Sequence, residues 1–332
     1  MASLPSTHKK NCRGGDYSTR DVAVTSSTVP TPETTARSLR QRQAWQFPAA
    51  NHLPFVVALA VRKSFLAGKV LTVVLGCGAF TYAHAAKTCT TADYSGIYAF
   101  SSVGFLLQLP PEGAALLGTI SQSGRFLPDG KGSLFIETNA SYNGIVLKGD
   151  IPATYSVTPD CIVNFDLVLP FPLSAPSKFQ GVLSSDNRQM SLLLTEPSGT
   201  VIRGLHVKQD LRFCSTPDFS GSYSIDLYGT TNSPKNLAGR FQRIGRIDAD
   251  GEGRFKASTT ANYNGRVVKE DFTGDYSVNA RCYVTLKYTA PAAAGSENIV
   301  INGAIGGHGE VVQMMILTDG WGVGGSLLRQ QQ

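Results

Sequence analysis

The sequence predicts an all-β protein: two tandem antiparallel up-and-down β-barrels, with two-sheet sandwiches as the alternative, behind a disordered leader and a signal peptide. Three observations predict this. Gly124–Cys161 returns as Gly245–Cys282, displaced by 121 residues without a gap, and 17 of the 38 pairs are identical. Cys89, Cys161, Cys214 and Cys282 form the same pair of positions in each copy. Apolar residues alternate with polar ones, as in Val163, Phe165 and Leu167 against Asn164 and Asp166, and no helical period competes.

In chain order, residues 1–60 are rich in Ser, Thr, Pro and Arg and are expected to be a disordered leader, with translation starting near Val61. Residues 61–86 have the layout of a signal peptide. Arg62, Lys63 and Lys69 precede the apolar Val70–Tyr82, and Ala83-His84-Ala85 offers a cleavage site near Ala85. Val74-Leu75-Gly76-Cys77 is a loose lipobox, but the better cleavage site favours plain export over a lipid anchor at Cys77. The expected location is secreted or periplasmic. The apolar segment is too short to span a bilayer as a helix.

Residues 87–209 form the first module and 214–332 the second. Runs at 97–108, 117–127, 132–139, 144–149, 153–158, 161–169, 177–184, 189–195 and 200–207 read as eight or nine strands in copy one. Asp129-Gly130 and Asn143-Gly144, with Asp250-Gly251 and Asn264-Gly265 in copy two, supply hairpin turns. A meander of that length removes its edges by closing on itself. Copy two lacks four residues opposite Pro110–Gly113, which marks a loop there. Four cysteines allow three connectivities, and the duplication favours Cys89–Cys161 and Cys214–Cys282.

Charge excludes a nucleic-acid role. The net charge of +6 comes from residues 1–86, with ten Lys/Arg against three Asp/Glu; the remainder has 20 against 21. No Walker loop, G-x-S-x-G elbow, H-E-x-x-H or G-x-G-x-x-G occurs, and no cofactor or metal is expected. His206 aligns with Leu327, so it joins no repeated triad, and His308 sits in a glycine-rich loop. Asp248–Glu252 resembles the start of a calcium loop, but the downstream ligand is missing and a hairpin explains both copies. Arg240, Arg243, Arg246, Arg254, Lys256, Arg266 and Lys269 are interleaved with acids and read as a mixed-charge solvated face.

Both copies keep Arg125/Arg246, Tyr142/Tyr263, Asn143/Asn264, Lys148/Lys269, Asp150/Asp271 and Tyr155/Tyr276. Of these, Arg125, Tyr142, Tyr155, Arg246, Tyr263 and Tyr276 are the candidate ligand-binding residues, as polar and aromatic groups at a barrel mouth. Shared folding duty explains the same residues.

Cys89, Ser95–Tyr98, Asp129–Gly132 and Tyr155–Cys161, repeated at Cys214, Ser220–Tyr223, Asp250–Gly253 and Tyr276–Cys282, resemble a group of secreted bacterial β-repeat proteins. The resemblance covers nearly all of 89–330. It implies export and barrels resembling those of lipocalins and allene-oxide cyclases, and it carries over no catalytic residue. The function expected is non-catalytic: binding a small apolar or amphipathic ligand, or a cell-surface partner. A cofactor-free isomerase or cyclase of the allene-oxide-cyclase type and a structural envelope protein are the alternatives.

Overall fold

The computed structural model describes residues 87–108, 111–168, 176–291 and 295–331. The leader, the signal-peptide segment and Cys77 lie outside the described residues, as do part of the 110–113 loop and the end of the 161–169 run. Sixteen strands form two closed eight-stranded barrels in which each strand pairs antiparallel with its neighbours. The first holds β1 (Tyr98–Leu106), β2 (Gly118–Pro128), β3 (Ser133–Tyr142), β4 (Ile145–Val157), β5 (Ile162–Val168), β6 (Pro176–Leu183), β7 (Gln189–Glu196) and β8 (Thr200–Lys208). The second holds β9 (Ser220–Thr231), β10 (Gly239–Asp250), β11 (Arg254–Tyr263), β12 (Arg266–Val278), β13 (Tyr283–Thr289), β14 (Asn298–Gly306), β15 (Val311–Ile316) and β16 (Trp321–Arg329). Closure of β1 on β8 and of β9 on β16 leaves no sheet edge in either ring. Both barrels belong to one compact unit.

The two sequence runs at 144–149 and 153–158 are one strand, β4, so copy one has eight strands. Pro152 does not interrupt it. Tyr155 N–H bonds back to Gly132 O, so by alternation the Pro152 nitrogen faces the β5 side, where the ladder begins only at Ala153. The Asn-Gly hairpins have positive φ at both central residues, 51° and 86° at Asn143-Gly144 and 50° and 97° at Asn264-Gly265. That pair of angles gives the turn whose twist suits a tight hairpin.

Disulfides join Cys89 to Cys161 and Cys214 to Cys282, as the duplication favoured. Each ties the segment ahead of the barrel to the turn before its fifth strand. Just past that cysteine a short 3₁₀ turn, closed by the Asp93 or Asp218 carboxylate on the backbone N–H of Thr90 or Ser215, drops Tyr94 or Phe219 into the barrel base. Both plugging rings are fully buried.

Most inward positions are apolar, and in the second barrel most outward ones are polar. Phe241, Ile247, Phe255, Ala257 and Leu286 point in, while Arg254, Lys256, Lys269, Asp271, Asp275 and Lys287 are exposed. A membrane barrel shows the opposite alternation. Among the described residues, no helix is long and apolar enough to cross a membrane.

Candidate functional site

The barrel interiors are filled. In the first, the Tyr94, Phe126 and Phe165 rings pack at 5.7–5.9 Å, and His206 lies 4.2 Å from the Phe126 ring. His206 takes the place of an apolar residue on β8, opposite Phe100 of β1 and Met190 of β7. Its Nδ1 meets the Tyr94 hydroxyl at 3.2 Å and its Nε2 has no partner. Burial drives the imidazole down to about 3, because no neighbour compensates a charged ring. His308, in contrast, is exposed and 3.6 Å from Asp210.

The second interior holds a charge pair. Arg243, in phase with Phe241 and Ile247 on β10, points inward and donates to Glu270 Oε2 at 2.6 Å and to the hydroxyls of Tyr263, at 3.0 Å, and Tyr288. Tyr263 in turn donates to Glu270 Oε1 at 2.8 Å. Phe241 and Phe272 flank the guanidinium at 5.4 and 5.3 Å. Arg243 therefore departs from the solvated face expected of its basic cluster. The equivalent residues of the first barrel, 121 positions earlier, are Gln122, Tyr142, Gly149 and Leu167, and Gln122 reaches Tyr142 at 3.5 Å. Burial lifts the Tyr142 phenol to about 12.

The six sequence candidates do not converge on one place. Tyr155 and Tyr276 are fasteners at the barrel base: their hydroxyls donate to Tyr94 O at 2.8 Å and Phe219 O at 2.7 Å, and Tyr155 accepts from Gly130 N. Tyr142 and Tyr263 point inward at the other end of the same hairpins. Arg125 and Arg246 lie on outer faces. Exposed Arg246 holds half-buried Asp248 at 2.7 Å, whereas Arg125 is buried where the barrels meet. The carboxylate of Asp250, in the calcium-like stretch, accepts backbone N–H groups from Glu252, Gly253 and Arg254, which is a hairpin arrangement.

The seam between the barrels is built from the outward faces of β1–β3 and of β13–β16. Ser101 bonds Gln313, Ser123 bonds Asn302 O at 3.3 Å, and Ser141 bonds Trp321 O at 2.7 Å. Glycine permits the approach: a Cβ on Gly324 would stand 2.9 Å from Val103 Cγ2, and one on Gly144 would stand 2.6 Å from Gly320 Cα. Glu137 is the ionic centre. It pairs with Arg125 at 2.7 Å and with Arg281, and accepts from Tyr283 at 3.2 Å, while Arg125 donates to Arg281 O at 2.9 Å.

Two clefts flank this seam. One, of about 710 Å³, is polar, with Asn139, Lys148, Asp150, Arg281 and Asn302 in its lining. The other, of about 700 Å³, is two-sided. Its first-barrel wall carries Phe105, Leu193 and Val201, which are 45%, 51% and 54% exposed. Its second-barrel wall carries Arg240, Gln242, Asn262 and Asn264, and Arg203 meets Tyr228 between them at 3.4 Å. Phe105 stands across from Val201, and Leu193 across from Arg203, so the same wall carries the apolar side chains and one guanidinium. Sequence reasoning named Arg240, Asn264 and Gly265 here, none of them as a ligand-binding residue. The signal available was a strand with large apolar residues in both phases, as in Leu192-Leu193-Leu194. Among the described residues no group of three or more His, Cys, Asp or Glu could hold a metal.

No protein-family model and no curated protein matches the sequence. Among solved structures, the chain is similar to isotype 1 transferrin binding protein B from serogroup B Neisseria meningitidis, with a TM-score of 0.30 and 7% identity over 70% of this chain and 74% of that one.

Proposed function

We propose that this is an exported, non-catalytic recognition protein that binds its ligand on the outer surface, in the two-sided groove beside the seam. The observation that carries the reading is the groove itself: three large apolar side chains held exposed in one concave wall, opposite a wall of amides and a guanidinium. A protein surface exposes such a patch where it meets something else. The filled interiors support the same location, since a ligand inside either barrel would have to displace packed aromatic rings. Two disulfides suit an oxidising compartment and support export.

A cyclase would need room beside an ionisable interior group, and rings already pack against both His206 and Arg243. A purely structural envelope role makes no demand for an exposed apolar wall.

Native mass spectrometry of full-chain protein purified from its own host tests the proposal. A co-purifying molecule is expected, and its removal should speed hydrogen exchange at the ends of β1 and β8 and along β9 and β10. Exchange changes confined to residues around His206 or Arg243, or chemical conversion of the molecule by the protein, would contradict it.

A further inference from the structure

We propose that the occupant of this groove is a single-chain anionic amphiphile, a long-chain carboxylate. This rests on the surface-recognition reading and adds the ligand class. Charge complementarity carries it. The groove lining contains two guanidinium groups, Arg203 and Arg240, and no carboxylate. Arg203 is engaged, with its guanidinium 5.5 Å from the Tyr228 ring. The Arg240 side chain is exposed and has no partner among the described residues. It stands among Gln242, Asn262 and Asn264, which add neutral donors around the same point. A carboxylate placed there accepts from the guanidinium in a forked geometry. Its hydrocarbon tail then lies along Phe105, Leu193 and Val201 and removes their apolar surface from water.

The duplication gives independent support. Tyr228, Arg240 and Gln242 correspond to Val103, Thr119 and Ser121 of the first barrel, by offsets of 125, 121 and 121 residues. The same cross-strand pairing, Val103 with Ser121 and Tyr228 with Gln242, confirms the correspondence. In the first barrel these positions face the seam and must stay small. In the second they line the groove instead, as one aromatic that meets Arg203 of the first barrel, one cation and one amide. Solvation alone does not require a tyrosine and an unpaired arginine to be set opposite an apolar wall.

Dodecanoate, kept below its aggregation concentration, is titrated into ¹⁵N-labelled full-chain protein, with dodecanol and dodecyltrimethylammonium as head-group controls. Saturable shifts are expected at Phe105, Leu193, Val201, Arg203, Tyr228 and Arg240. Arg240→Glu and Leu193→Asp, both at exposed positions, should each weaken dodecanoate binding by about tenfold or more, and the two controls should bind more weakly than dodecanoate. Dodecanol binding as well as dodecanoate, or Arg240→Glu binding as wild type, overturns the anionic assignment. If dodecanoate leaves the groove unshifted while an acidic peptide or an oligosaccharide shifts it, the ligand class is wrong and surface recognition stands. Shifts confined to Phe126, Phe165 and Ile247 inside the barrels overturn both.

Discussion

His206 shows what a single polar residue costs inside a barrel. Its ring is sealed among Phe100, Phe126 and Tyr94, and no carboxylate faces it from β1, β2 or β7. The folded value of about 3 lies below the ordinary value of 6.5, so the unfolded chain binds the extra proton first. The stability this residue contributes is complete above pH 6.5 and is lost as pH falls toward 3. The slope reaches about 1.4 kcal/mol per pH unit. Replacing His206 by Leu, the residue of the second barrel, should flatten the decline between pH 6.5 and 4.5 in chemical denaturation. The window is separate from that of Asp93, held down to about 2 by the Thr90 N–H, whose loss comes at lower pH. An unchanged slope in the variant would refute the assignment. Arg243 and Glu270 give a second residue-level expectation. Glu270→Ala leaves a buried guanidinium unpaired and should cost about 3–5 kcal/mol in urea unfolding. The double change to Gln at 243 and Gly at 270, the residues the first barrel uses, should recover much of it.

Among the elements, the hairpins and the seam strands behave differently. Gly144 and Gly265 occupy the same place in the same turn, yet their surroundings differ. A Cβ at Gly265 meets nothing within 4 Å, while one at Gly144 meets the Gly320 backbone. Gly265→Ala should therefore cost about 1 kcal/mol, the price of positive φ alone, and Gly144→Ala should cost clearly more. Equal losses of thermal stability would contradict the close seam. The hairpins and barrel walls were legible in the sequence because turn chemistry and period two are local properties. β4 is the exception: its sequence reads as two runs on either side of Pro152, which stays in the β3 ladder opposite Phe135 while its nitrogen faces the β5 side. The seam was not legible. Nothing local marks Ser101, Ser121, Ser123 and Ser141 as buried, and only the structure brings β14–β16 onto them. The kept tyrosines were visible as candidates, but Tyr155 and Tyr276 are kept in positions where their hydroxyls close the barrel base. The groove residues were hidden for another reason: Phe105 and Arg203 correspond to Thr230 and Gly324, which differ in chemistry, and Leu193 corresponds to a methionine that reads as ordinary strand packing, so duplication gave no pointer to them.

At the scale of the molecule, two barrels of one ancestry use unlike faces to meet. The first docks through β1–β3, and the second receives it on β13–β16. The β9–β10 face touches the first barrel only at its edge, through Thr230 on Thr119 and Tyr228 on Arg203, and there the small residues of copy one correspond to Asp226, Tyr228, Arg240 and Gln242. The bulk and charge on that face oppose addition of a further barrel in the same manner, as polar caps do in repeat proteins. Each module is also closed by its own disulfide. Removing either one by a Cys→Ala pair should lower stability by about 4 kcal/mol on loop length, measured by denaturant midpoint. The duplication thus supplies one compact unit whose seam is flanked by two clefts that neither barrel has alone.

The most direct test of that account is where a ligand's tail comes to rest. A long-chain carboxylate bearing a nitroxide near its tail, added to ¹⁵N-labelled full-chain protein, should broaden amide signals at Phe105, Leu193, Val201 and Tyr228 and spare the interior-facing residues. Broadening centred on Phe126, Phe165 or Ile247, with the groove sparing, would contradict it.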